Sequence, residues 1–223
     1  MFEIVISIPD GEERAKKTLN QRLGIIGGLS ILGTTGIVRP VSAQAWTDTI
    51  DAALDVAKAC GCKNVVLSTG RTSELAVQKK QNLPDEAFIM MGDHIAHSLQ
   101  ACHKRGFDQP IIACQFAKLL KIACGHENTH AATSELDMTQ LLEWAQNGDV
   151  SESLLEVISK ANTAREIVLA CSFDPALLDL VFCKAQSAAD RHSPGIQPQF
   201  MVADYKGNCI ASDLSQNVIS GPQ

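Results

Sequence analysis

The chain has 223 residues, of which 45% are hydrophobic, 20% are charged and 4% are aromatic, and its formal net charge is -6. This balance is typical of a globular protein and excludes a wholly disordered chain. The few aromatic residues predict a core of Ile, Val, Leu and Ala, as in a sheet covered by helices. Lys and Arg form no large cluster interleaved with aromatic residues, so we expect no nucleic-acid-binding face.

The first predicted element is a strand over 2–8, which alternates and then stops at Pro9-Asp10-Gly11. This opening does not have the pattern of a signal peptide, and no apolar run approaches the about 20 residues that a membrane span needs. We therefore expect a cytoplasmic protein without a membrane segment. The eight cysteines are then expected to be reduced and mostly packed as small hydrophobic residues.

A short helix over 12–20 and a short apolar strand over 23–28 are predicted next, and a regular alternation of helices and buried strands follows. The predicted helices cover 46–60, 72–80, about 93–105 and 116–124. The first of them has an apolar side formed by Trp46, Ile50, Ala53, Leu54 and Ala57. The predicted strands cover 64–70, 87–91 and 110–114. Asp93 is a suitable N-cap for the third of these helices. Repeated strand–helix units predict an α/β fold of three layers, a mostly parallel sheet with helices on both faces.

After Gly125 the pattern changes to helices, with a final hairpin. The helices are predicted over 137–146, 151–161, 163–171 and 175–190, and the hairpin strands over 200–204 and 209–211. The turn Tyr205-Lys206-Gly207-Asn208 joins the two strands. The sequence therefore predicts two domains, an α/β domain over 1–135 with a glycine-rich motif and a helical cap over 136–223 with a small β-ribbon.

The most informative segment is 17–40, in which five glycines fall within 13 residues. Each glycine would cost a helix about 1 kcal/mol relative to alanine, so the segment is expected to turn sharply and approach a ligand. It lacks the dinucleotide pattern Gly-x-Gly-x-x-Gly. Gly28 and Gly33 have P-loop spacing, but Thr34 stands where the lysine must be, which disfavours a nucleotide-binding enzyme. A tight turn that binds no ligand is a further alternative.

The run Lys-Thr-Leu-Asn at 17–20, followed by Arg-Leu-Gly-Ile-Ile-Gly-Gly-Leu-Ser-Ile-Leu-Gly-Thr-Thr-Gly-Ile-Val at 22–38, closely resembles the cobalt-precorrin-5B C1-methyltransferase (CbiD) family of anaerobic cobalamin biosynthesis. The resemblance continues over 66–71, 91–93 and 118–130, and covers most of the first 150 residues. It implies methyl transfer from S-adenosylmethionine to ring carbon C1 of a cobalt-containing tetrapyrrole.

The sequence departs from the family in two places. Family members usually carry a further N-terminal region before the opening strand. A segment that tends to read Gly-His-x-Gly-Lys in the family reads Cys114-Gln115-Phe116-Ala117-Lys118 here. These departures leave a second interpretation open, a shortened and non-catalytic homologue or subunit that binds corrinoid or S-adenosylmethionine. A separate chain that supplies the missing region is a further alternative.

Methyl transfer from a sulfonium requires alignment of the reactants and exclusion of water, without a metal or a covalent intermediate. In open α/β sheets cofactors lie at the carboxyl ends of the strands. The expected cofactor-binding residues are Gly27, Gly28, Gly70, Gly92 and Asp93. Asp93 can bond a ribose hydroxyl or act only as a helix N-cap.

The tetrapyrrole carries several carboxylates, which an acidic protein must meet with locally gathered cations and hydrogen-bond donors. The residues expected to bind it lie beside the family-like motifs: Arg22, Thr34, Thr35, Arg39, Lys118, Lys121 and Asn128. Arg71 lies beside such a motif too. For Lys121 the solvated face of a helix is an equally good explanation.

His130, with its neighbour Thr129, is the catalytic candidate, as a proton acceptor or substrate contact in the family-like Asn-Thr-His run. His94 and His97 are three residues apart on a predicted helix and can face one metal ion. The sequence contains no third and fourth ligand at a characteristic spacing, so we expect no protein-bound metal.

Overall fold

The fold was described from a computed structural model of the chain, and the described residues are 7–18, 20, 25–30, 43–134 and 136–213. Most of the strand predicted over 2–8 and the start of the strand predicted over 23–28 lie outside them. Within 25–28 the strand prediction is wrong, because the backbone is irregular there, Gly27 has a φ of 91° and Ile26 is 90% exposed.

The first described helices are α1, Gly11–Ala15, and α2, Ala43–Ala59. Helix α1 is shorter than the predicted 12–20. Helix α2 buries Ile50, Leu54 and Ala57 at the helical spacing that the sequence predicted. Trp46 was expected on the same apolar side, but it is 45% exposed and lies beyond the packed stretch of the helix.

The described residues form one five-stranded sheet in the order β2-β1-β3-β4-β5. The strands are β1 Val66–Ser68, β2 Phe88–Met90, β3 Ile111–Cys114, β4 Gln199–Ala203 and β5 Cys209–Ser212. The first four are parallel, and β5 is antiparallel to β4. This confirms the mostly parallel α/β sheet. The predicted hairpin forms, and its first strand pairs with β3, so the hairpin extends the sheet.

Helices cover both faces of the sheet, as predicted. Helix α3, Arg71–Gln78, packs on one face, where Val77 meets Val66, Ile111 and Met201. The other face is covered by α2, α4 Ile95–Arg105, α5 Phe116–Ala123 and α9 Pro175–His192. Most of the buried apolar side chains lie in this second layer, including Leu67, Ile112 and Phe200 from the strands. The smaller core beneath α3 leaves that face of the sheet more open at the edge strand β2.

The remaining helices are α6 Met138–Gln146, α7 Glu152–Lys160 and α8 Ala164–Ala170. Asp137, Ser151 and Thr163 cap them by accepting a backbone N–H, and Asp174 caps α9 in the same way. These four helices were expected from the sequence. The division at 135/136 stays a prediction. No helix in the described part of the chain is long and apolar enough to cross a membrane.

Candidate functional site at the carboxyl ends of the strands

The loops after β1 and β3 diverge to opposite faces of the sheet, and we call the space between these two loops the crevice. The loop after β1 enters α3 on one face, and the loop after β3 enters α5 on the other, which is the arrangement in which open α/β sheets bind ligands. The floor is closed by Thr69, whose N–H donates to the carbonyl of Ala113 at 3.0 Å. A Cβ added to Gly70 would meet no atom of the described residues within 4 Å, so these residues leave the space above this glycine open.

A hydrogen-bonded cluster of Asp93, Lys118, Lys121 and Thr129 lies beside this crevice, and we call it the Asp93 cluster. Lys118 Nζ donates to Asp93 Oδ1 and, at 2.9 Å, to the carbonyl of Thr129. Thr129 Oγ1 donates to the same Asp93 oxygen at 2.7 Å. Lys121 Nζ donates to the carbonyls of Thr129 at 3.2 Å and of Ser134 at 2.8 Å. The cluster therefore fastens the loop after β2 and the segment 129–134 to α5.

The surroundings set the charge state of the cluster. Burial works to raise the pKa of Asp93, but the hydrogen bonds from Lys118 and Thr129 outweigh it and hold that pKa below its usual value. Burial lowers the pKa of Lys121, and the neighbouring charge of Lys118 lowers it further. Lys121 is only 9% exposed, so the solvated-face alternative for this lysine is wrong.

The sequence predicted Asp93 as the N-cap of α4, and this prediction is wrong. The N-cap residue is His94, which makes no side-chain capping bond. The carboxylate instead accepts from Lys118 and Thr129, and the bond from Lys118 joins an ammonium to a carboxylate. Both of these bonds fall on Oδ1. Among the residues that the structure describes, none donates to Oδ2, and the side chain is 25% exposed, so Oδ2 is an accessible acceptor.

Asn128 organises the segment that carries the histidine candidate. Its Nδ2 donates to His94 Nδ1 at 3.4 Å, and its Oδ1 accepts from the backbone N–H of His130 at 2.9 Å and from Thr133 Oγ1 at 3.2 Å. His130 is exposed, and its Nδ1 accepts the N–H of Ala132 at 3.2 Å. In a neutral His130 ring the proton is therefore on Nε2, and this N–H is a hydrogen-bond donor.

Trp46 is a feature that the sequence analysis missed. Its Nε1 donates to the carbonyl of Met91 at 3.0 Å, and its ring is stacked with His94, with centroids 6.3 Å apart. A Cβ on Gly92 would lie 2.8 Å from the indole, so Gly92 lacks a side chain because Trp46 occupies that space. Burial lowers the pKa of His94, as does the charge of His97. These contacts could not be predicted, because a single tryptophan at the start of an apolar helix face has no neighbouring sequence pattern that indicates them.

On the other face, a cleft of 970 Å³ separates the segment after α1 from α3 and the edge strand β2. Its lining includes Lys16, Lys17, Thr18, Arg71, Glu74, Gln78, Phe88 and Met90. Arg71 donates to the fully buried Glu74 while its own side chain is 57% exposed, and Lys16 pairs with Glu13 at 2.6 Å. Two stretches that are far apart in the sequence, 16–18 and 71–78, thus bring three cations to one cleft. Asp85 and Glu86 line the same cleft. Because these stretches are far apart in the sequence, the cleft could not be predicted from the sequence.

The structure brings together most of the described candidates. Asp93, Lys118, Lys121, Asn128 and Thr129 are linked by contacts, His130 adjoins them, and Gly70 lies on the neighbouring loop. Gly27 and Gly28 lie on a different segment, where Gly28 accepts a hydrogen bond from Asn20 at 3.3 Å. The other candidates lie outside the described residues: Arg22, Thr34, Thr35 and Arg39. Binding and catalytic roles for all of these residues stay predictions.

The two histidines that were considered as metal ligands have other partners. His97 Nε2 lies 3.0 Å from Asp51 Oδ2, and Asp51 also accepts from Arg105 at 2.8 Å. His94 is held by Asn128. Within the described ranges no group of three or more His, Cys, Asp or Glu side chains is arranged to hold a metal ion.

Comparison with known proteins gives two matches to family models and a set of similar sequences. Residues 1–40 match the family described as CbiD, and residues 128–213 match CbiD, C-terminal domain. The relatives include proteins named cobalt-precorrin-5B C(1)-methyltransferase from Pelobacter propionicus, 55% identical over 95% of this chain, and from Geobacter sulfurreducens, 56% identical over 94%. The protein of that name from Geobacter metallireducens is 51% identical over 94% of this chain.

The chain spans about three fifths of the length of these relatives, namely 61%, 59% and 60% of the three proteins. No solved structure matches the chain.

Proposed function

The chain belongs to the CbiD family, and from this premise we propose that it acts as an S-adenosylmethionine-dependent C-methyltransferase that methylates C1 of cobalt-precorrin-5B in anaerobic cobalamin biosynthesis. The relatives' name implies a methyl donor and a corrinoid substrate. One structural observation carries the proposal: the open space at Gly70 lies on the loop next to an ionised carboxylate with an accessible oxygen, Asp93 Oδ2.

The residues of the crevice fit a nucleoside donor. Gly70 leaves room for close approach to the backbone, and Asp93 Oδ2 can accept a hydrogen bond from a ribose hydroxyl. Asp93 follows the strand next to β1, about 20 residues after the glycine turn, which is where dinucleotide-binding sheets place their ribose-binding acid. Lys118 and Thr129 hold the carboxylate in one orientation. The Asp93 side chain therefore loses little conformational freedom when a ligand binds.

The cleft beside α3 fits the acidic rim of the tetrapyrrole. Lys16, Lys17 and Arg71 are exposed and line the same space, and guanidinium and ammonium groups suit carboxylates. Arg71 directly follows Gly70, so the cleft and the crevice meet at the carboxyl end of β1. In this proposal the cations position the substrate and the crevice positions the donor.

S-Adenosylmethionine supplies an activated methyl group when it is bound. The chain's own residues then have to orient the two reactants and exclude water, and no covalent bond to the protein is required. His130 presents Nε2–H as a donor in the described conformation. For His130 to accept a proton, Nδ1 must first release the N–H of Ala132.

His130→Gln tests this role. The substitution is expected to reduce the rate of methyl transfer about 100-fold if His130 takes part in proton transfer, with the free energy of unfolding almost unchanged because the side chain is exposed. Turnover of the variant would be measured beside urea unfolding. Unchanged turnover would remove His130 from the reaction.

The proposal itself is tested by calorimetric titration of S-adenosylmethionine and S-adenosylhomocysteine into the purified chain, followed by a methyl-transfer assay with cobalt-precorrin-5B. Micromolar binding and a methylated product are the expected results. A folded sample that binds neither nucleoside contradicts the proposed donor site.

A second candidate is a homologue that binds the corrinoid or the donor without catalysis. It is favoured by the segment 114–118, in which Cys114 and Phe116 are fully or almost fully buried in the core. Burial raises the pKa of the Cys114 thiol to about 12, so this cysteine is a packed hydrophobic group. Binding without turnover would identify this candidate.

The relatives carry their additional length within one chain and therefore give no support to a separate N-terminal subunit. A cytoplasmic location of the chain is also part of the proposal.

A further inference from the structure

Trp46 exposes an aromatic surface at the carboxyl ends of the strands. The side chain is 45% exposed, although the next large apolar residues of the same helix, Ile50 and Leu54, are completely buried. We propose that this indole stacks on the adenine ring of the methyl donor and acts as its positioning residue. The inference rests on the proposed function, which it extends by naming the adenine subsite.

The indole is fixed before any ligand arrives. Its Nε1 donates to the carbonyl of Met91 at 3.0 Å, and Met91 follows the last residue of β2. The helix that carries it is tied to α4, because Arg105 donates to Asp51 at 2.8 Å and to Asp55 at 2.7 and 3.1 Å. A rigid ring loses little freedom on binding, which favours its use as a stacking surface.

The groups around the ring suit a flat and uncharged partner. Gly92 leaves space for one edge of the indole, and a larger residue would overlap with it. His94 stacks on the indole with ring centroids 6.3 Å apart, and burial lowers the pKa of its imidazole. Asn128 Nδ2 holds His94 Nδ1 at 3.4 Å, which fixes the second ring as well. The two aromatic rings thus form one shelf, Trp46 and His94.

The position of this shelf selects a nucleoside. Asp93 lies between Gly92, which touches the indole, and His94, which stacks on it. A ligand that rests on Trp46 therefore has the accessible Asp93 Oδ2 within the same three-residue loop. A flat heteroaromatic base joined to a vicinal diol satisfies both features, the base by stacking and the diol by donating to the carboxylate.

The test uses a Trp144→Phe background, in which Trp46 is the only tryptophan of the chain. S-Adenosylhomocysteine is titrated while tryptophan fluorescence is followed, and the dissociation constant is measured independently by calorimetry. Stacking is expected to change the emission of Trp46 with saturation at the calorimetric constant. Binding without any change in emission overturns the inference.

Two substitutions at position 46 complete the experiment. Trp46→Leu is expected to weaken S-adenosylhomocysteine binding about 5- to 160-fold, the range for the loss of one base–aromatic stack. Trp46→Phe keeps a stacking ring and is expected to stay within about threefold of the parent. Urea unfolding shows whether either variant is folded. If Trp46→Leu is folded and binds like the parent, the adenine subsite lies elsewhere while the proposed donor site still stands.

The proposed function has a separate mode of failure. A folded parent chain that binds neither S-adenosylhomocysteine nor S-adenosylmethionine overturns both the donor site and the subsite. Adenosine serves as a further probe, since it keeps the base and the diol and lacks the amino acid. It is expected to bind the parent chain and to lose affinity in Trp46→Leu by the same factor.

Discussion

The Asp93 cluster and the cleft beside α3 both contain cations, but they use them in opposite ways. Lys121 is buried and donates to two backbone carbonyls, and Lys118 donates to a carboxylate and a carbonyl. Lys16 and Lys17, by contrast, are exposed and line a cleft. The first pair joins segments of the protein itself. The second faces solvent, where Lys16 is paired with the exposed Glu13, and these two lysines are accessible to an acidic ligand.

This difference shows why a cation beside a family-like motif is ambiguous. Burial of an ammonium is tolerated when several oxygens surround it, and those oxygens then occupy the donors that a substrate would need. An exposed ammonium gives little to stability but keeps its donors. Exposure and partners, which only the fold supplies, therefore decide between a structural role and a binding role.

The largest expected effect is on the stability of the Asp93 cluster. Lys121→Met removes the donor to the carbonyl of Ser134, which is buried, and we expect the free energy of unfolding to fall by about 2 kcal/mol. Urea unfolding followed by circular dichroism measures it. Lys104→Met, an exposed lysine at the end of α4, is the matched control and should change stability by less than about 0.5 kcal/mol. If Lys121→Met weakens corrinoid binding while the free energy of unfolding is unchanged, Lys121 has a binding role and its contrast with the exposed lysines is wrong.

A smaller effect is expected in the cleft. Lys17→Gln removes one exposed cation, and we expect the dissociation constant for the tetrapyrrole substrate to rise about three- to fivefold, with unfolding unaffected. Lys104→Gln, outside the cleft, should leave binding unchanged. Titration at two salt concentrations sharpens the test, because the difference between parent and variant should shrink as salt increases. An identical constant in the two proteins would place the substrate away from this cleft.

The smallest effect concerns a carboxylate that forms no ion pair with the residues that the structure describes. Burial raises the pKa of Asp213 to about 6, although the N–H of Phe200 donates to it at 2.7 Å. Because the folded pKa is raised, ionisation costs stability as pH rises from about 4 through 6. Asp213→Asn should remove this dependence and gain up to about 1 kcal/mol at pH 7.5 relative to pH 4.5, after allowance for solvent screening.

Urea unfolding of the parent and of Asp213→Asn at these two pH values provides the measurement. Asp93, whose pKa is lowered by its donors, has the opposite dependence and loses its contribution only below about pH 4. An equal difference between the two proteins at both pH values would show that Asp213 titrates normally.

Most of the parallel strands and of the helices that cover them could be predicted from the sequence. Runs such as Val65-Val66-Leu67 and Ile111-Ile112 are apolar on both faces, and this identifies strands of a parallel sheet buried between helices. Local capping residues marked several helices equally well, for example Asp137 and Ser151. These features depend on neighbours within a few residues, so they can be predicted without a fold.

The candidate site was harder to predict, because its contacts join distant residues. Asp93 has the local chemistry of an N-cap, but its bonds go to Lys118 and Thr129, 25 and 36 positions away. Trp46 has the spacing of a core residue, but its indole donates to Met91, 45 positions away, and the side chain stays partly exposed. The parallel pairing of β4 with β3 is equally distant, and no period in the sequence indicates it.

That pairing has a consequence for synthesis of the chain. Cys114 ends β3 and Gln199 begins β4, a difference of 85 positions. At about 5–20 residues per second, the ribosome needs roughly 4–17 seconds to make the intervening segment. During this interval the edge of β3 has no β4 to pair with, and Ile112 and Cys114 lack the cover of Phe200 and Val202. The nascent chain therefore passes through a stage in which chaperones have an apolar strand edge to bind.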